Sequence, residues 1–247
     1  MSRQPKFSII TITFNAASVI EPTLQSVLSQ TYKNYEYLLI DGASKDDTVA
    51  KAKASGIKFA HIVSEPDKGL YDAMNKGIAL ATGDYLCFLN AGDAFYAPDT
   101  LQTIANAATK EDTLPDVLYG ETAEVDEDRN FVRMRRLQAP EKLTWRSFKS
   151  GMLVCHQAFY AKRGIAPMYD LKYRLSGDVD WCIKVMKQAK KLVNVNATVV
   201  NYLQNGLSLQ HHRASLRERF WIMSKHYGLL PTIGRHLWFI IRAVIKR

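Results

Sequence analysis

The feature that most constrains the fold is the stretch from Glu65 to Asp93, EPDKGLYDAMNKGIALATGDYLCFLNAGD. It contains a loop, a helical pattern predicted from Leu70 to Ala81, an apolar run from Tyr85 to Leu89, and an acidic turn. A continuous apolar run is typical of a strand that is covered on both faces of a parallel sheet. Ligands of α/β proteins bind past the carboxyl ends of such strands, so Asp93 is a candidate site residue.

The first half of the chain alternates strand and helix patterns. Three further runs rich in β-branched and aromatic residues predict strands at Phe7 to Phe14, Tyr35 to Asp41 and Lys58 to Ser64. Helices are predicted between them, from about Glu21 to Gln30 and from Asp46 or Asp47 to Ala54. Repeated strand–helix–strand units predict a Rossmann-like α/β fold, with a mostly parallel, twisted sheet and helices on both faces.

The second half loses this alternation. A helix is predicted from Pro98 to Ala108, and strands that begin at Asp116 and Asn130 are joined by an acidic turn. A further strand, a helix and a long strand are predicted at Gly151 to Arg163, Asp178 to Ala189 and Lys191 to Leu203. These patterns indicate a mixed second half.

The net charge of +9 is concentrated at the C-terminus. From His211 onward there are eight Lys or Arg against one acid, Glu218, which is a net charge of +7. This segment is predicted to form amphipathic helices, broken at Gly228 to Pro231, with apolar positions at Ile233, Leu237, Ile240, Ile241 and Val244. A basic amphipathic helix favours an anionic membrane surface, whereas no apolar run approaches the roughly 20 residues that span a bilayer.

Several classes of protein are excluded by what the sequence lacks. After the first strand the chain reads FNAAS rather than GxGxxG, and it contains neither a GxxxxGK[ST] loop nor a GxSxG elbow. These absences argue against a dehydrogenase, a P-loop kinase and an α/β-hydrolase. The three cysteines are far apart, so a disulfide framework or zinc site is not expected and a reducing cytoplasm fits best. The N-terminal run is typical of a strand, not of a signal peptide.

Polar residues follow four successive predicted strands. They are Thr13 and Asn15, Asp41, Asp67 and Lys68, and Asn90 and Asp93. Turns also favour Asn, Asp and Gly, so each group alone has a structural explanation. Four groups at one sheet edge favour a binding site instead. An oxygen ligand at Asp93 suits Mg²⁺ or Mn²⁺, with diphosphate oxygens completing the coordination.

Six segments together resemble the family 2 glycosyltransferases, especially short bacterial enzymes that build polysaccharide repeat units. They are SIITITFN, DGASKDDT, EPDKGLYDAMNKGIALATGDY, FLNAGD, HQAF and SGDVDW, between about Phe7 and Lys187. The resemblance implies a GT-A fold, a nucleotide-sugar donor with a UDP-sugar as first expectation, a divalent cation, and inversion at the anomeric carbon. We expect a GT-A domain at 1–210, with a nucleotide-binding half to about 95 and an acceptor half beyond it, and basic helices at 211–247.

The resemblance also implies roles for individual residues. Thr13, Phe14 and Asn15 would line the nucleotide pocket, and Asp41 would contact the base or the ribose. The other candidates for donor binding are Asp67, Lys68, Asp72, Asn75 and Asn90. Lys68 is equally well explained as a solvated turn residue, and Asp72 and Asn75 as caps of neighbouring loops. His156, His211 and His212 are open between a place near the diphosphate or metal and a structural or exposed one.

The chemistry of inversion fits the two remaining assignments. Asp93, in FLNAGD, would be the metal ligand, and Asp178, in SGDVDW, would be the general base. In a one-step inversion a carboxylate removes the proton of the acceptor hydroxyl, while a cation stabilises the leaving diphosphate on the other face. Asp178 and Asp180 should point different ways from a helix, so we expect one of them to face the acceptor.

The chain departs from the family pattern at three places. Asn90 and Gly92 stand where many members have acids, so Asp93 carries more of the expected metal binding. Gly42 replaces a second acid after Asp41, which leaves the nucleobase open, and Gly177 replaces a frequent glutamate.

The first functional hypothesis is an inverting sugar transferase that acts on a lipid-linked saccharide at the inner face of the cytoplasmic membrane. A nucleotide-sugar pyrophosphorylase is the second, although FNAAS lacks the glycine-rich basic loop of such enzymes. The third is a non-catalytic sugar or nucleic-acid binding module. Since the chain contains no recognised RNA- or DNA-binding motif, we expect no nucleic-acid partner.

Overall fold

The computed structural model describes residues 4–110, 112–204 and 212–245. The strands are β1 Phe7–Thr13, β2 Tyr35–Asp41, β3 His61–Ser64, β4 Tyr85–Phe88, β5 Ala94–Phe95, β6 Val117–Val125, β7 Phe131–Met134, β8 Phe159–Lys162 and β9 Leu192–Leu203. The helices are α1 Ile20–Leu28, α2 Thr48–Ala54, α3 Leu70–Leu80, α4 Thr100–Ala108, α5 Gly177–Gln188, α6 His212–Tyr227 and α7 Leu229–Ile245. The described strands form one sheet in the order β3-β2-β1-β4-β8-β6-β9-β5, with β7 paired to β6. The predicted α/β fold class is confirmed.

The first four strands form the parallel half of this sheet. β1 lies between β2 and β4 and is buried along its whole length, which explains its continuous apolar pattern. Its two inner polar residues are satisfied, because Ser8 donates to Glu36 over 2.6 Å and Thr11 donates to the Leu89 carbonyl over 2.7 Å. The register pairs Thr13 with Asp41, so the polar ends of β1 and β2 lie side by side.

The second half is mixed, as predicted. β8 is antiparallel to both β4 and β6, whereas β9 runs parallel to β6 and antiparallel to β5. The strand predicted within Gly151 to Arg163 is β8, which is short because His156–Ala158 forms a 3₁₀ turn and only the residues after it pair. β5 was not predicted, since a two-residue strand leaves no periodic pattern.

The C-terminal helices form as predicted and separate at Gly228, whose φ of +90° suits the residue after a helix end. α6 packs on the main core through Ile222, which is fully buried. The predicted apolar positions of α7 face solvent instead, with Ile233 and Leu237 exposed. The side chains of Ile240, Ile241 and Val244 lie outside the described part. Among the described residues, no helix is long and apolar enough to cross a membrane.

Two carboxylates hold α5 and α6 together. Glu218, the only acid of the basic tail, accepts backbone N–H bonds of 2.7, 2.9 and 2.8 Å from Arg174, Leu175 and Ser176, just before α5. Asp180 is 1% exposed and contacts His226 at 2.7 Å and Lys184 at 2.6 Å. Burial alone would raise the pKa of Asp180, but the bonds from His226 and Lys184 hold it at about 2.

We predict that Asp180→Asn lowers the free energy of unfolding at pH 7 by about 2–3 kcal/mol, because it removes the buried anion that Lys184, Lys225 and the His226 ring contact. A carboxyl with a depressed pKa stabilises the fold above its unfolded pKa and loses that contribution as the pH falls through its folded pKa. The difference between the two proteins should therefore shrink from pH 4 towards pH 2. Urea unfolding across this range measures it, with Asp128→Asn, at an exposed turn, as the control. A difference that is constant with pH would contradict the ion-pair role.

Candidate active site

The ends of β1, β2 and β3 meet at the carboxylate of Asp41, which is 1% exposed. Thr13 and Ser64 donate hydroxyl bonds of 2.8 and 2.6 Å to it, and Ser44 donates both its backbone N–H and its hydroxyl. Burial would raise the pKa of Asp41, but these bonds hold it below its ordinary value. Asp41 is thus a buried anion that organises three strand ends, with its oxygens already committed to protein donors.

The chain leaves β1 in a tight turn that exposes an aromatic ring. Asn15 has a φ of +48°, and its side-chain oxygen accepts a 2.9 Å bond from the Lys45 N–H, which joins the turns after β1 and β2. Phe14 is 65% exposed at this edge. An exposed aromatic ring at the end of a parallel strand offers a stacking surface to a planar ligand.

The glycine at position 42 makes room for a carboxylate from another loop. A Cβ at Gly42 would lie 2.5 Å from Asp67 Oδ2 and 3.3 Å from the Phe14 ring. The other Asp67 oxygen accepts a 2.8 Å bond from the Gly69 N–H. Asp67 therefore fills the space beside Asp41 that a second acid after Asp41 would need.

The candidates on and before α3 separate into two groups. Asp72 accepts a 2.9 Å bond from the Lys68 N–H, and Asn75 bonds to both backbone polar groups of Tyr169, at 3.1 and 2.7 Å. These two residues therefore cap neighbouring backbone, which was one of the two alternatives for them. The Lys68 side chain is exposed and has no side-chain bond among the described residues.

Asp93 lies in the turn after β4 and is 4% exposed. Its oxygens accept bonds of 3.0 Å from the Leu203 N–H and 2.7 Å from the Gln157 amide, and Thr23 of α1 donates to its carbonyl at 2.6 Å. Burial raises the pKa of Asp93 to about 7, because these bonds and the nearby Arg129 guanidinium only partly offset the lost hydration. The structure thus holds a buried carboxylate whose negative charge is not fully compensated by a nearby cation.

Arg129 and Gln157 are partners of Asp93 that the sequence analysis did not identify. Arg129 has a φ of +69° in the turn between β6 and β7 and donates to the Gly92 carbonyl. The signal for Arg129 in the sequence was its place as the single arginine of the acidic turn EVDEDRN. The signal for Gln157 was the HQ pair, in which the resemblance suggested only His156 as a neighbour of the diphosphate.

Two side chains of this turn, Asp93 and Asn90, are candidates for holding a divalent cation. Asn90 Oδ1 is buried and has no hydrogen-bond partner in the described structure, and Asn90 O accepts a 2.9 Å bond from the Asp93 N–H in the same turn. The described residues contain no group of three His, Cys, Asp or Glu that would hold a metal alone. One carboxylate and one amide oxygen suffice for Mg²⁺ or Mn²⁺ when ligand phosphates complete the coordination.

Asp178 lies in the first turn of α5. Its Oδ1 accepts a 2.9 Å bond from the Val179 N–H and a long 3.4 Å bond from the Tyr71 hydroxyl. A Cβ at Gly177 would lie 2.9 Å from the Tyr71 ring, so the glycine makes room for that ring. Asp180, two residues on, is occupied by α6, so the two acids point different ways as expected.

The charges of Asp93 and Asp178 both act on one residue of β9, Tyr202. Burial raises the pKa of Tyr202, and the carboxylates of Asp93 and Asp178 both raise it further. The next residue of the strand, Leu203, donates its N–H to Asp93. The two acids, which are far apart in sequence, therefore reach a common region.

His156 belongs to an aromatic cluster of the core. It is 4% exposed, contacts the Tyr169 hydroxyl at 2.5 Å, and stacks on Phe88 with 5.0 Å between ring centroids. Burial lowers its pKa to about 4, so the ring is neutral at physiological pH. The structural alternative for His156 fits these contacts. His211, and the side chain of His212, lie outside the described residues.

We predict that Asp93→Asn stabilises the ligand-free protein at pH 8 by about 2 kcal/mol, because it removes a buried charge. A native pKa of about 7 against an ordinary 3.8 means that the folded protein holds the extra proton between these values. The stability of the wild type should therefore fall as the pH rises from about 4 to 7, and that of the variant should fall less. Thermal unfolding in chelator over this range measures it, with Asp128→Asn as the control. Parallel curves for Asp93→Asn and the wild type would contradict the buried charge.

Sequence comparison identifies the family. The model of glycosyl transferase family 2 matches residues 8–165, more than half of the chain. A PGL/p-HBAD biosynthesis glycosyltransferase of Mycobacterium bovis is 38% identical over 187 residues, which cover 73% of this chain and 69% of the relative. The amylovoran biosynthesis glycosyltransferase AmsB of Erwinia amylovora is 28% identical over 231 residues, covering 87% and 76%.

Solved structures share the fold at low sequence identity. S. aureus TarS 1-349 in complex with UDP-GlcNAc has a TM-score of 0.71 at 16% identity, covering 95% of this chain and 73% of TarS. The mannosyltransferase PcManGT from Pyrobaculum calidifontis, in complex with GDP-Man and Mn²⁺, has a TM-score of 0.61 at 15% identity, covering 94% and 74%. These neighbours have the GT-A fold that the resemblance implied. The matched family model and the relatives show that this chain is a glycosyltransferase and belongs to glycosyl transferase family 2.

Proposed function

We propose that this glycosyltransferase moves a sugar, with inversion, from a nucleotide-sugar to a hydroxyl of a lipid-linked saccharide. The observation that carries the proposal is the pair of carboxylates, Asp93 and Asp178, which are far apart in sequence but both act electrostatically on Tyr202 of β9. Inversion in one step needs a base and a diphosphate site on opposite faces of the sugar. No covalent nucleophile is required.

In this mechanism Asp178 accepts the proton of the acceptor hydroxyl as that oxygen attacks the anomeric carbon. Its position in the first turn of α5 and the Tyr71 hydroxyl at 3.4 Å hold the carboxylate in place. Asp93 and Asn90 would hold a divalent cation, which would balance the charge of the leaving diphosphate. The exposed Lys68 ammonium is a second candidate for a diphosphate contact.

The proposed donor is a UDP-sugar. Phe14 offers a ring on which a base can stack, and Asp67, close to that ring, offers a carboxylate that can accept an N–H bond from uracil. Asp41 would act indirectly, by fixing the turns on which Thr13 and Asn15 lie. TarS was solved with UDP-GlcNAc and PcManGT with GDP-Man, so members of the shared fold accept different bases.

The proposed site of action is the inner face of the cytoplasmic membrane, with the protein bound peripherally. The relatives belong to PGL/p-HBAD and amylovoran biosynthesis, which suggests a saccharide acceptor for this chain. Leu230 is 81% exposed and Leu237 is 55% exposed on α7, within a segment that carries a net charge of +7. Apolar side chains among cations suit the interface of an anionic bilayer.

We predict that Asp178→Asn lowers kcat at least about 1000-fold while donor affinity changes less than about threefold, because the base acts on the acceptor. Asp93→Asn should abolish transfer and also weaken donor binding, chiefly when Mn²⁺ is present. Calorimetric titration with UDP-sugars, with and without Mn²⁺, and a radiolabel transfer assay measure the two effects. Asp128→Asn is the matched control.

Two outcomes would contradict these assignments. Full activity of Asp178→Asn would remove Asp178 as the base. An Asp93→Asn protein whose donor affinity and Mn²⁺ dependence equal those of the wild type would remove Asp93 from the diphosphate site.

A further inference from the structure

A cavity of about 480 Å³ lies away from the two carboxylates, between the 3₁₀ turn Trp145–Ser150 and the helices α6 and α7. Its floor contains Met223 and Thr232, which are 5% and 1% exposed. Asp178 and Lys187 lie at opposite ends of α5, nine residues or about 14 Å apart along the helix axis. Lys187 contacts Trp145 of the turn, so the cavity lies near the far end of α5 from the proposed base.

The cavity is positively charged. Lys149 and Arg235 both line it, and no carboxylate of the described residues forms an ion pair with either. Lys149 Nζ lies 5.5 Å from the centre of the Tyr227 ring, and that ring stacks on Trp145 with 5.5 Å between centroids. Two more cations, those of Arg146 and Lys187, lie 4.6 and 4.7 Å from the Trp145 ring. The charge and its aromatic support fit an anionic group.

A glycine lines this cavity. Gly234 lies inside α7 and lines the cavity, although glycine within a helix costs about 1 kcal/mol relative to alanine. A Cβ at this position would meet no atom within 4 Å, so no neighbour in the described structure requires the glycine. The space that it leaves belongs to the cavity.

The wall of the cavity is also the exposed face of α7. Pro231, Gly234, Arg235 and Trp238 line it at helical spacing, and Trp238 is 51% exposed. Leu230 and Leu237, which are more exposed still, lie one turn from Gly234 and beside Trp238 on the same helix. Indole rings and apolar side chains next to cations are typical of the membrane interface, where the headgroup phosphates lie.

From these contacts we propose that the cavity binds the phosphate headgroup of an anionic membrane lipid, with Lys149 and Arg235 on the phosphate and α7 in the bilayer interface. The proposal rests on the proposed function only for the membrane location. It assigns the lipid phosphate to a defined cavity. Without such a cavity, the basic segment would adsorb to the membrane only through its overall charge.

Vesicle flotation of the full chain tests this proposal, with phosphatidylglycerol vesicles against neutral phosphatidylcholine vesicles. Lys149→Gln with Arg235→Gln should lower the affinity for phosphatidylglycerol at least about tenfold more than Arg213→Gln with Arg217→Gln, which removes the same charge from exposed positions of α6. Gly234→Leu should also lower it about tenfold, although its charge is unchanged. Diffuse adsorption predicts instead that Gly234→Leu binds the vesicles more tightly, because the added leucine would strengthen membrane contact.

Equal losses in the two double variants, or Gly234→Leu binding as tightly as the wild type or tighter, would overturn the proposal. If glycerol phosphate displaces the protein from vesicles at micromolar concentration, the cavity binds a free phosphate compound. The proposal that its ligand is a membrane lipid would then be wrong. Circular dichroism melting confirms that each variant folds. Transfer to a soluble acceptor should be unchanged in all of them. A wild type without transferase activity would contradict the proposed function but leave the vesicle result standing.

Discussion

The buried carboxylate of Asp93 is the constraint on which the site depends. The turn after β4 carries it to the junction of α1, β9 and the 3₁₀ turn at His156–Ala158, where Leu203 and Gln157 donate to it and Thr23 donates to the backbone carbonyl of the same residue. These neutral donors fix its position without neutralising it, so burial raises its pKa to about 7. Such an environment favours a cation, and Arg129 at the rim supplies only part of the charge. The buried acid therefore lowers folding stability, and a cation bound at this position would offset that cost.

Two glycines explain how this chain departs from the common pattern of its family. At Gly42 the Asp67 carboxylate occupies the space of the missing side chain, and at Gly177 the Tyr71 ring does so. In each case a residue from the loop before α3 or from its first turn enters the site. The segment from Glu65 to Asp93 therefore contributes Asp67 to the proposed nucleobase site and Asp93 to the proposed diphosphate site. Through Tyr71 it also positions Asp178.

The basic tail also supports the helix that carries Asp178, the proposed base. Glu218 binds three consecutive backbone N–H groups just before α5, and the His226 ring bonds to Asp180 one turn into that helix. α6 thereby braces the helix whose first turn carries Asp178. The proposed lipid site lies at the opposite end of this brace. The proposed lipid site and the proposed base are thus joined by two packed helices, a connection that charge composition alone does not predict.

Much of the fold could be predicted from local sequence. Continuous apolar runs predicted β1 and β2, and helical periodicity predicted α3 and α5. A strand that is buried on two faces is apolar throughout, whereas a helix that is buried on one side has apolar residues at helical spacing. The mixed half was harder, since β5 has only two residues and the apolar residues before Phe159 are buried by turns instead of pairing. The strand-end rule and the family motifs singled out Asp93 and Asp178 without any coordinates.

The sequence by itself determined the class of fold, the family and which acids carry the proposed chemistry, because these depend on patterns within short segments. Only the tertiary structure decided what each polar group contacts. It committed Asp41 and Asn75 to backbone and side-chain partners, turned Asp180 towards α6, placed Gln157 rather than His156 on Asp93, and opened a charged cavity beside α7. The physical reason is that desolvation and hydrogen-bond partners arise from residues distant in the chain, and a one-dimensional pattern does not specify which of them meet.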